Sequence, residues 1–265
     1  MGSKNSNLFD LSNRVAIVTG GAGWLGSAIV ESLAQAGAYV VIVDVKQDAI
    51  DAALASLTQQ GLAVCGICSD VMQDAPLRAC IDKVAADHKR LDIIVNCAYV
   101  GPVPKLDDVQ FEDIDKGLHN GPSAYCIAAQ QAAKHIRNTG GGSIINIGSM
   151  YGMVTGYPDV YEGIASPSSI VYQAGKAAII HMTRYMAVYW AKDNIRVNCI
   201  SPGPFLQGDI PQRMPEFARR VSAKVPMGRY GRPDEIKGAA VFLASDASSF
   251  MTGQNIVIDG GWTVW

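Results

Sequence analysis

The sequence predicts an α/β fold, a single parallel sheet with helices on both faces, and three observations carry that expectation. Short β-branched apolar runs alternate with segments of helical periodicity along almost all of the 265-residue chain. The first run ends in a glycine-rich turn that opens onto a helix, Thr19-Gly20-Gly21-Ala22-Gly23-Trp24-Leu25-Gly26. The second ends in an acid, Asp44, 18 residues beyond Gly26.

Arg14–Val18 reads as the first strand, and apolar residues recur at helical spacing from the turn through Ala36. Gly20 suits a tight turn, Gly23 lets the main chain approach a diphosphate, and Gly26 allows close helix-to-strand packing. The helix start at Trp24, Leu25 and Gly26 then offers free N–H groups and a positive dipole end to a pyrophosphate. The spacing is not G-x-G-x-x-G, so the turn acquires this meaning only from the unit that follows. Tyr39–Val43 supplies that unit's second strand, and Asp44 at its end can accept hydrogen bonds from ribose hydroxyls while repelling a 2′-phosphate. NAD is therefore expected over NADP, with the neighbouring Lys46 softening the preference.

The alternation continues with a helix over about 47–60, a strand over 63–68 ending near Ser69-Asp70-Val71, and a helix over about 74–88. Asp70 suits either an adenine contact or a helix N-cap. Leu91–Val95 is the fourth strand and ends at Asn96-Cys97-Ala98. A long helix over 109–136 is interrupted by Gly117 and Gly121-Pro122, where proline removes a hydrogen bond and kinks the axis beside His119 and Asn120. Gly142–Gly148 forms the fifth strand and delivers Ser149 to its end. A Gly/Pro-rich loop over 152–167 leads to a helix over about 171–191, and Asn194–Ile200 is a sixth strand closing with Ser201-Pro202-Gly203. From 206 to 232 the pattern loosens around Arg213, Arg219, Arg220, Lys224, Arg229 and Arg232, which reads as a solvated helix face in preference to a lid for an anionic substrate. A helix over about 233–244 and the strand Asn255–Ile258 complete the alternation. No repeat or linker divides the chain, so one domain spans 1–265, with a substrate lid at 204–230 and an insert at 152–170.

Twenty-two basic against 24 acidic residues leave a net charge of -2, without the basic excess of a nucleic-acid footprint. No apolar run approaches the ~18 residues of a membrane helix. Six scattered cysteines, Cys65, Cys68, Cys80, Cys97, Cys126 and Cys199, read mostly as buried free thiols in a reducing, cytoplasmic setting. Cys65 and Cys68 fall on opposite faces of one strand with no second Cys/His pair nearby, so no metal site is expected. Met1–Ser6 matches a myristoylation pattern by form only and resembles a cloning scar.

Tyr172 and Lys176 lie one helical turn apart, so the phenol faces the same side as an ammonium. A nearby positive charge favours the phenolate, which is how Tyr172 becomes a general acid or base near neutral pH. With the glycine turn, Asp44, Asp70-Val71, Asn96-Cys97-Ala98, Ser149, Pro202-Gly203 and Asp259-Gly260-Gly261, the chain from about Asp10 to Trp265 resembles a single-domain short-chain dehydrogenase/reductase. The resemblance implies a doubly wound Rossmann sheet of seven strands in order 3-2-1-4-5-6-7, with NAD(P) across their carboxyl ends. It implies that Ser149, Tyr172 and Lys176 are catalytic: Tyr172 moves the proton, Lys176 holds the nicotinamide ribose and lowers the phenol's pKa, and Ser149 bonds the substrate oxygen. Cofactor contacts fall to Gly20, Gly23, Trp24, Leu25, Gly26, Asp44, Asp70, Val71, Asn96, Ala98, Tyr172, Lys176, Pro202 and Gly203. A homo-oligomer, tetramer or dimer, is the family's habit.

Several positions depart from that family's pattern. The turn reads T-G-x-x-G-x-x-G, with Trp24 where a glycine is usual; Tyr99 stands where N-N-A-G has its last glycine; the relay asparagine aligns with Leu118, two residues before Asn120; and Gln207 replaces a threonine. Ser149 and Tyr172 are 23 residues apart, where the family has about 13. The extra segment, with Tyr157-Pro158-Asp159 and Tyr161-Glu162-Gly163, emerges beside the site and is expected to shape its pocket. Similar inserts suggest a polyhydroxylated substrate. The expected activity is interconversion of a secondary alcohol and a ketone. The alternatives are an NAD-binding regulatory protein without turnover, or an epimerase or dehydratase that retains its NAD.

Overall fold

In chain order, the computed structural model, which describes residues 7–265 and so leaves the Met1–Ser6 motif outside, begins with β1 (Val15–Thr19), α1 (Trp24–Gln35), β2 (Tyr39–Asp44) and α2 (Gln47–Gln59). It continues through β3 (Val64–Cys68), α3 (Asp74–His88), β4 (Ile93–Asn96), α4 (Phe111–Leu118), α5 (Ala124–Ile136) and β5 (Gly142–Ile147). The last part holds α6 (Pro158–Tyr161), α7 (Ile170–Trp190), β6 (Ile195–Pro202), α8 (Ile210–Arg213), α9 (Pro215–Lys224), α10 (Lys237–Ala244) and β7 (Asn255–Ile258). The strands form one sheet in order β3-β2-β1-β4-β5-β6-β7, every neighbouring pair parallel, as the sequence predicts.

Period-two alternation along the strands sorts the core into two layers. Val15, Ile17, Val41 and Ile94 point to the face covered by α3, α5 and α7, where Leu77, Ala129 and Met186 meet them. Ala16, Val18, Val40 and Ile42 point to the other face, against Ile29 and Leu33 of α1, Ile50 of α2 and Leu243 of α10. Thr19 is in register with Asn96, and Ile147 with Ile200, so the carboxyl ends of the central strands form one edge. The chain reverses direction across the sheet between β1 and β4, and it is at such a point that a crevice opens.

Three features differ from the sequence expectation, two of them where proline shapes the chain. The long helix is split by a π-turn over His119–Ser123 that contains Pro122, since proline cannot donate to the α-helical ladder. The expected loop after Ser149 and the loosened segment after Pro204 contain α6, α8 and α9, each with proline in its first turn, where the missing N–H has no intrahelical partner to lose. Cys68 and Cys126 are exposed and only Cys80 and Cys199 are buried, although all six thiols are free.

A third apolar cluster lies outside the sheet. Met150, Val160, Val221, Val225 and Trp262 form its buried centre, with Tyr151, Tyr157, Tyr161 and Phe217 around them. It joins the insert, α9 and the carboxyl-terminal tail into one cap over the edge that carries Ser149.

Candidate active site

A cleft of about 540 Å³ runs along the carboxyl edge, and its walls include Gly20, Gly23, Trp24, Leu25, Gly26, Asp44, Asp70, Val71, Ala98, Ser149, Tyr172, Lys176, Pro202 and Gly203. All the predicted site residues except Asn96 are thus brought together.

At one end the turn has the shape its glycines permit. Gly20 takes φ +65°, and a Cβ there would stand 2.9 Å from the Cα of Ala98. A side chain on Gly26 would run into the carbonyl of Gly20, so the first turn of α1 can press against the strand end only with glycine there. The Gly23 cap makes no side-chain hydrogen bond, and Ser27 N–H is the first to return to it, at 2.9 Å. The N–H groups of Trp24, Leu25 and Gly26 are therefore the helix's unpaired donors, which fits a bound anion. Asp44 accepts from Ala22 N–H at 3.2 Å and from Val45 N–H at 2.8 Å, so the acid braces the turn as well as facing the cleft. Asp70 accepts from Met72 N–H at 3.0 Å in a local turn, and Gln73 takes the N-cap position of α3 without a side-chain hydrogen bond. This end fits a dinucleotide's adenosine and diphosphate.

The other end holds Ser149, Tyr172 and Lys176. Ser149 sits in extended backbone just after β5, its Oγ accepting from Tyr151 N–H at 3.1 Å. Ser169 caps α7 by accepting from Tyr172 N–H at 3.2 Å, and donates to the Pro102 carbonyl at 3.2 Å, which fixes where the helix of Tyr172 begins. Lys176 is buried, and its Nζ donates to the carbonyl of Ile147 at 2.7 Å. Burial lowers its pKa to about 8, against an opposing pull from the nearby thiols of Cys97 and Cys199. The Tyr172 phenol lies above its ordinary value: burial raises it, and the Ser149 hydroxyl draws it down. The expected lowering of Tyr172 by Lys176 is not what this geometry provides. Nζ stands 5.7 Å from the centre of the Tyr172 ring and is turned to the end of β5, so Ser149 is the group that favours the phenolate.

Asn96 lies behind the cleft wall. It is 1 % exposed and donates to Asn146 at 2.9 Å, which in turn donates to Thr183 on α7 at 2.9 Å. Its side chain ties the central strands to that helix, while Thr19 Oγ1 accepts from the N–H groups of Cys97 and Ala98 and sets the wall itself. The π-turn buries Asn120 and leaves Leu118 half-buried. Gln207 does reach the cleft, as do Met72, Val100 and Phe205, which sequence reasoning missed because no polar pattern marks them.

The basic residues of 206–232 are all paired. Arg213 meets Asp209, Arg219 and Arg220 share Glu216, Lys224 meets Asp159, and Arg229 and Arg232 share Glu235. Among the described residues Lys176 is the single cationic side chain on the cleft wall.

A parallel sheet with a phosphate-shaped turn at one end and a Ser-Tyr-Lys cluster at the other defines a dinucleotide-dependent oxidoreductase. The chain belongs to the short-chain dehydrogenase/reductase family: the family model described as Enoyl-(Acyl carrier protein) reductase matches residues 21–263. It is 34% identical to an NAD-dependent glycerol dehydrogenase of Listeria innocua, covering 97% of this chain and 96% of that protein. It is also 34% identical to a D-threitol dehydrogenase of Mycolicibacterium smegmatis, covering 97% and 95%. The crystal structure of a gluconate 5-dehydrogenase from Burkholderia cenocepacia in complex with NADP and tartrate superposes with a TM-score of 0.85 at 31% identity, covering 97% of this chain and 98% of that one.

Proposed function

We propose that the protein interconverts a secondary alcohol and a ketone on a neutral, polyol-like substrate, using NAD(H) in preference to NADP(H). The observation that carries this reading is the convergence of Ser149, Tyr172 and Lys176 on the cleft that the glycine turn and Asp44 also line. A bound NAD(H) supplies the hydride acceptor or donor. Tyr172 takes or gives the proton of the reacting oxygen, and Ser149 donates to that oxygen as charge develops on it. Lys176 holds the nicotinamide ribose, while Pro202, Gly203 and Gln207 wall that end of the cleft. Asp44 favours NAD, because an acid accepts from ribose hydroxyls and repels a phosphate; the NADP-bound relative shows that the family accommodates both.

In this reading residues 1–265 form one catalytic domain, the 152–170 insert shapes the substrate pocket, and 204–230 is its mobile lid. Among the described residues every cation of the lid is paired with a carboxylate, which supports a neutral substrate. Polyol dehydrogenases among the relatives support the same class. The free thiols suit the cytoplasm. Tyr185, Val188 and Tyr189 present an exposed apolar strip on α7 that suits pairing with a second copy as a dimer or tetramer.

Tyr172→Phe tests the reading. It should bind NADH as the parent does while turnover falls ~10²–10⁴-fold, the usual worth of a general acid or base. Near-parental turnover would reject the role.

A further inference from the structure

Tyr99 occupies the place where the family pattern has glycine, and its surroundings are fitted to it. Its ring meets that of Tyr172 edge-on, with centroids 5.1 Å apart and planes at 79°. The Lys176 ammonium stands over the same ring, 5.2 Å from its centroid, with the rings of Tyr125 and Tyr172 at 5.5 and 5.7 Å.

A buried ammonium has three donors to satisfy, and among the described residues this one has a single hydrogen bond, to Ile147. The titratable groups that face it are the thiols of Cys97 at the end of β4 and Cys199 on β6, with the phenols of Tyr99, Tyr125 on α5 and Tyr172 on α7. None is a carboxylate. Three aromatic rings stand within about 6 Å of the ammonium, and the quadrupole of an aromatic face attracts a cation.

Two glycines keep Tyr99's slot open. A Cβ on Gly101 would lie 2.6 Å from the Tyr99 hydroxyl, and one on Gly121, in the π-turn, 2.9 Å from its Cε2. Among the described residues the buried hydroxyl itself has no hydrogen-bond partner.

We infer that Tyr99 is a positioning residue, its ring forming one wall of an aromatic cage around the Lys176 ammonium and buttressing the Tyr172 phenol, in a slot opened by Gly101 and Gly121. The inference rests on the proposed roles of Tyr172 and Lys176, but it is testable without turnover.

In cofactor-free protein labelled with [ε-¹³C]lysine, the Lys176 resonance, identified by its loss in Lys176→Met, is titrated by NMR. Tyr99→Phe should leave the midpoint within ~0.3 pH units of the parent, whereas Tyr99→Leu, which keeps an apolar side chain but has no π face, should lower it by about one unit. Equal midpoints for the parent and Tyr99→Leu, or a shift in Tyr99→Phe as large as that in Tyr99→Leu, would overturn the cage. Gly101→Ala gives a second reading if the leucine variant does not fold. Pressing on the ring through its hydroxyl, it should lower the midpoint in the parent and have a smaller effect in the Tyr99→Phe background; equal effects in both count against the slot. Midpoints that move as expected in a protein inactive on every alcohol would uphold the cage and reject the proposed reaction.

Discussion

The Arg220 guanidinium on α9 donates to the main-chain carbonyl of Asp159 at 2.9 Å, and the same nitrogen reaches the carbonyl of Glu162 at 2.8 Å. One side chain thus closes the end of α6, while Lys224 pairs with the Asp159 carboxylate at 2.8 Å and the Tyr157 ring meets that of Trp262 edge-on. The insert is therefore ordered by a segment some 60 residues further along the chain. A hydrogen bond to a charged group contributes roughly 1.5–3 kcal/mol. Arg220→Ala should raise KM for the alcohol about tenfold and speed proteolysis within 152–168, with the dissociation constant for NADH unchanged. Weakened NADH binding would place the effect at the nucleotide end instead.

Lys176 makes a pH prediction whose sign is fixed. Its folded pKa of about 8 lies below the ordinary 10.5, so between those values the unfolded chain binds more protons and the lysine's contribution to stability rises with pH. Below pH 8 both states are charged and the full burial penalty, roughly 3 kcal/mol from the shift, is present. Lys176→Met removes this dependence. The stability difference between variant and parent should therefore move in the parent's favour by about 3 kcal/mol from pH 7 to 10.5, whatever the packing of the methionine. Urea unfolding across that range measures it, and a flat difference would show that the ammonium is better solvated than its surroundings imply.

At the adenosine end, Asp44 has two tasks that substitution can separate. Asp44→Asn keeps an acceptor for Ala22 N–H but removes the charge, whereas Asp44→Ala removes both. The asparagine variant should lose most of its preference for NAD, about tenfold or more in kcat/KM ratio, with little change in melting temperature. The alanine variant should lose the same preference and some stability as well. Unchanged discrimination in both would assign the choice of cofactor elsewhere.

The parts of this architecture that were legible in the sequence are those set by neighbours in the chain. β-branched runs ending in Gly20, Asp44 and Ser149 fixed the sheet edge, and a four-residue spacing placed Tyr172 and Lys176 on one helical face. The pairing of Glu216 with Arg219 and Arg220 follows from the same helical periodicity. What could not be read depends on distant partners. Lys176 turns to Ile147, 29 residues earlier, and is caged by rings from three separate segments. The resemblance to the family's motif at Asn96-Cys97-Ala98 implied a cofactor contact for Asn96, yet its partner is Asn146, 50 residues away. The π-turn around Pro122 shifts the register of a helix by an amount that proline alone does not specify, so the burial of Asn120 over Leu118 emerged only from the fold.

The paired lid leads to a choice between substrate classes. The six basic side chains from Arg213 to Arg232 each meet a carboxylate within 4.0 Å, and Lys176, among the described residues the one cation on the cleft wall, is buried against a main-chain carbonyl. A substrate carboxylate entering here would give up hydration without gaining an ion pair, whereas a polyol has only hydroxyls to match. Neutral polyols such as glycerol or threitol should therefore be oxidised with kcat/KM at least ~10-fold above that for gluconate, since one missing charged hydrogen bond is worth about 1.5 kcal/mol or more. Glu216→Gln, which frees Arg219 and Arg220 from their shared partner, should narrow that gap by improving the acid and leaving the polyol unchanged. Equal efficiency on both classes in the parent protein would mean that a cation outside the cleft wall reaches the substrate, and the neutral-substrate reading would fall.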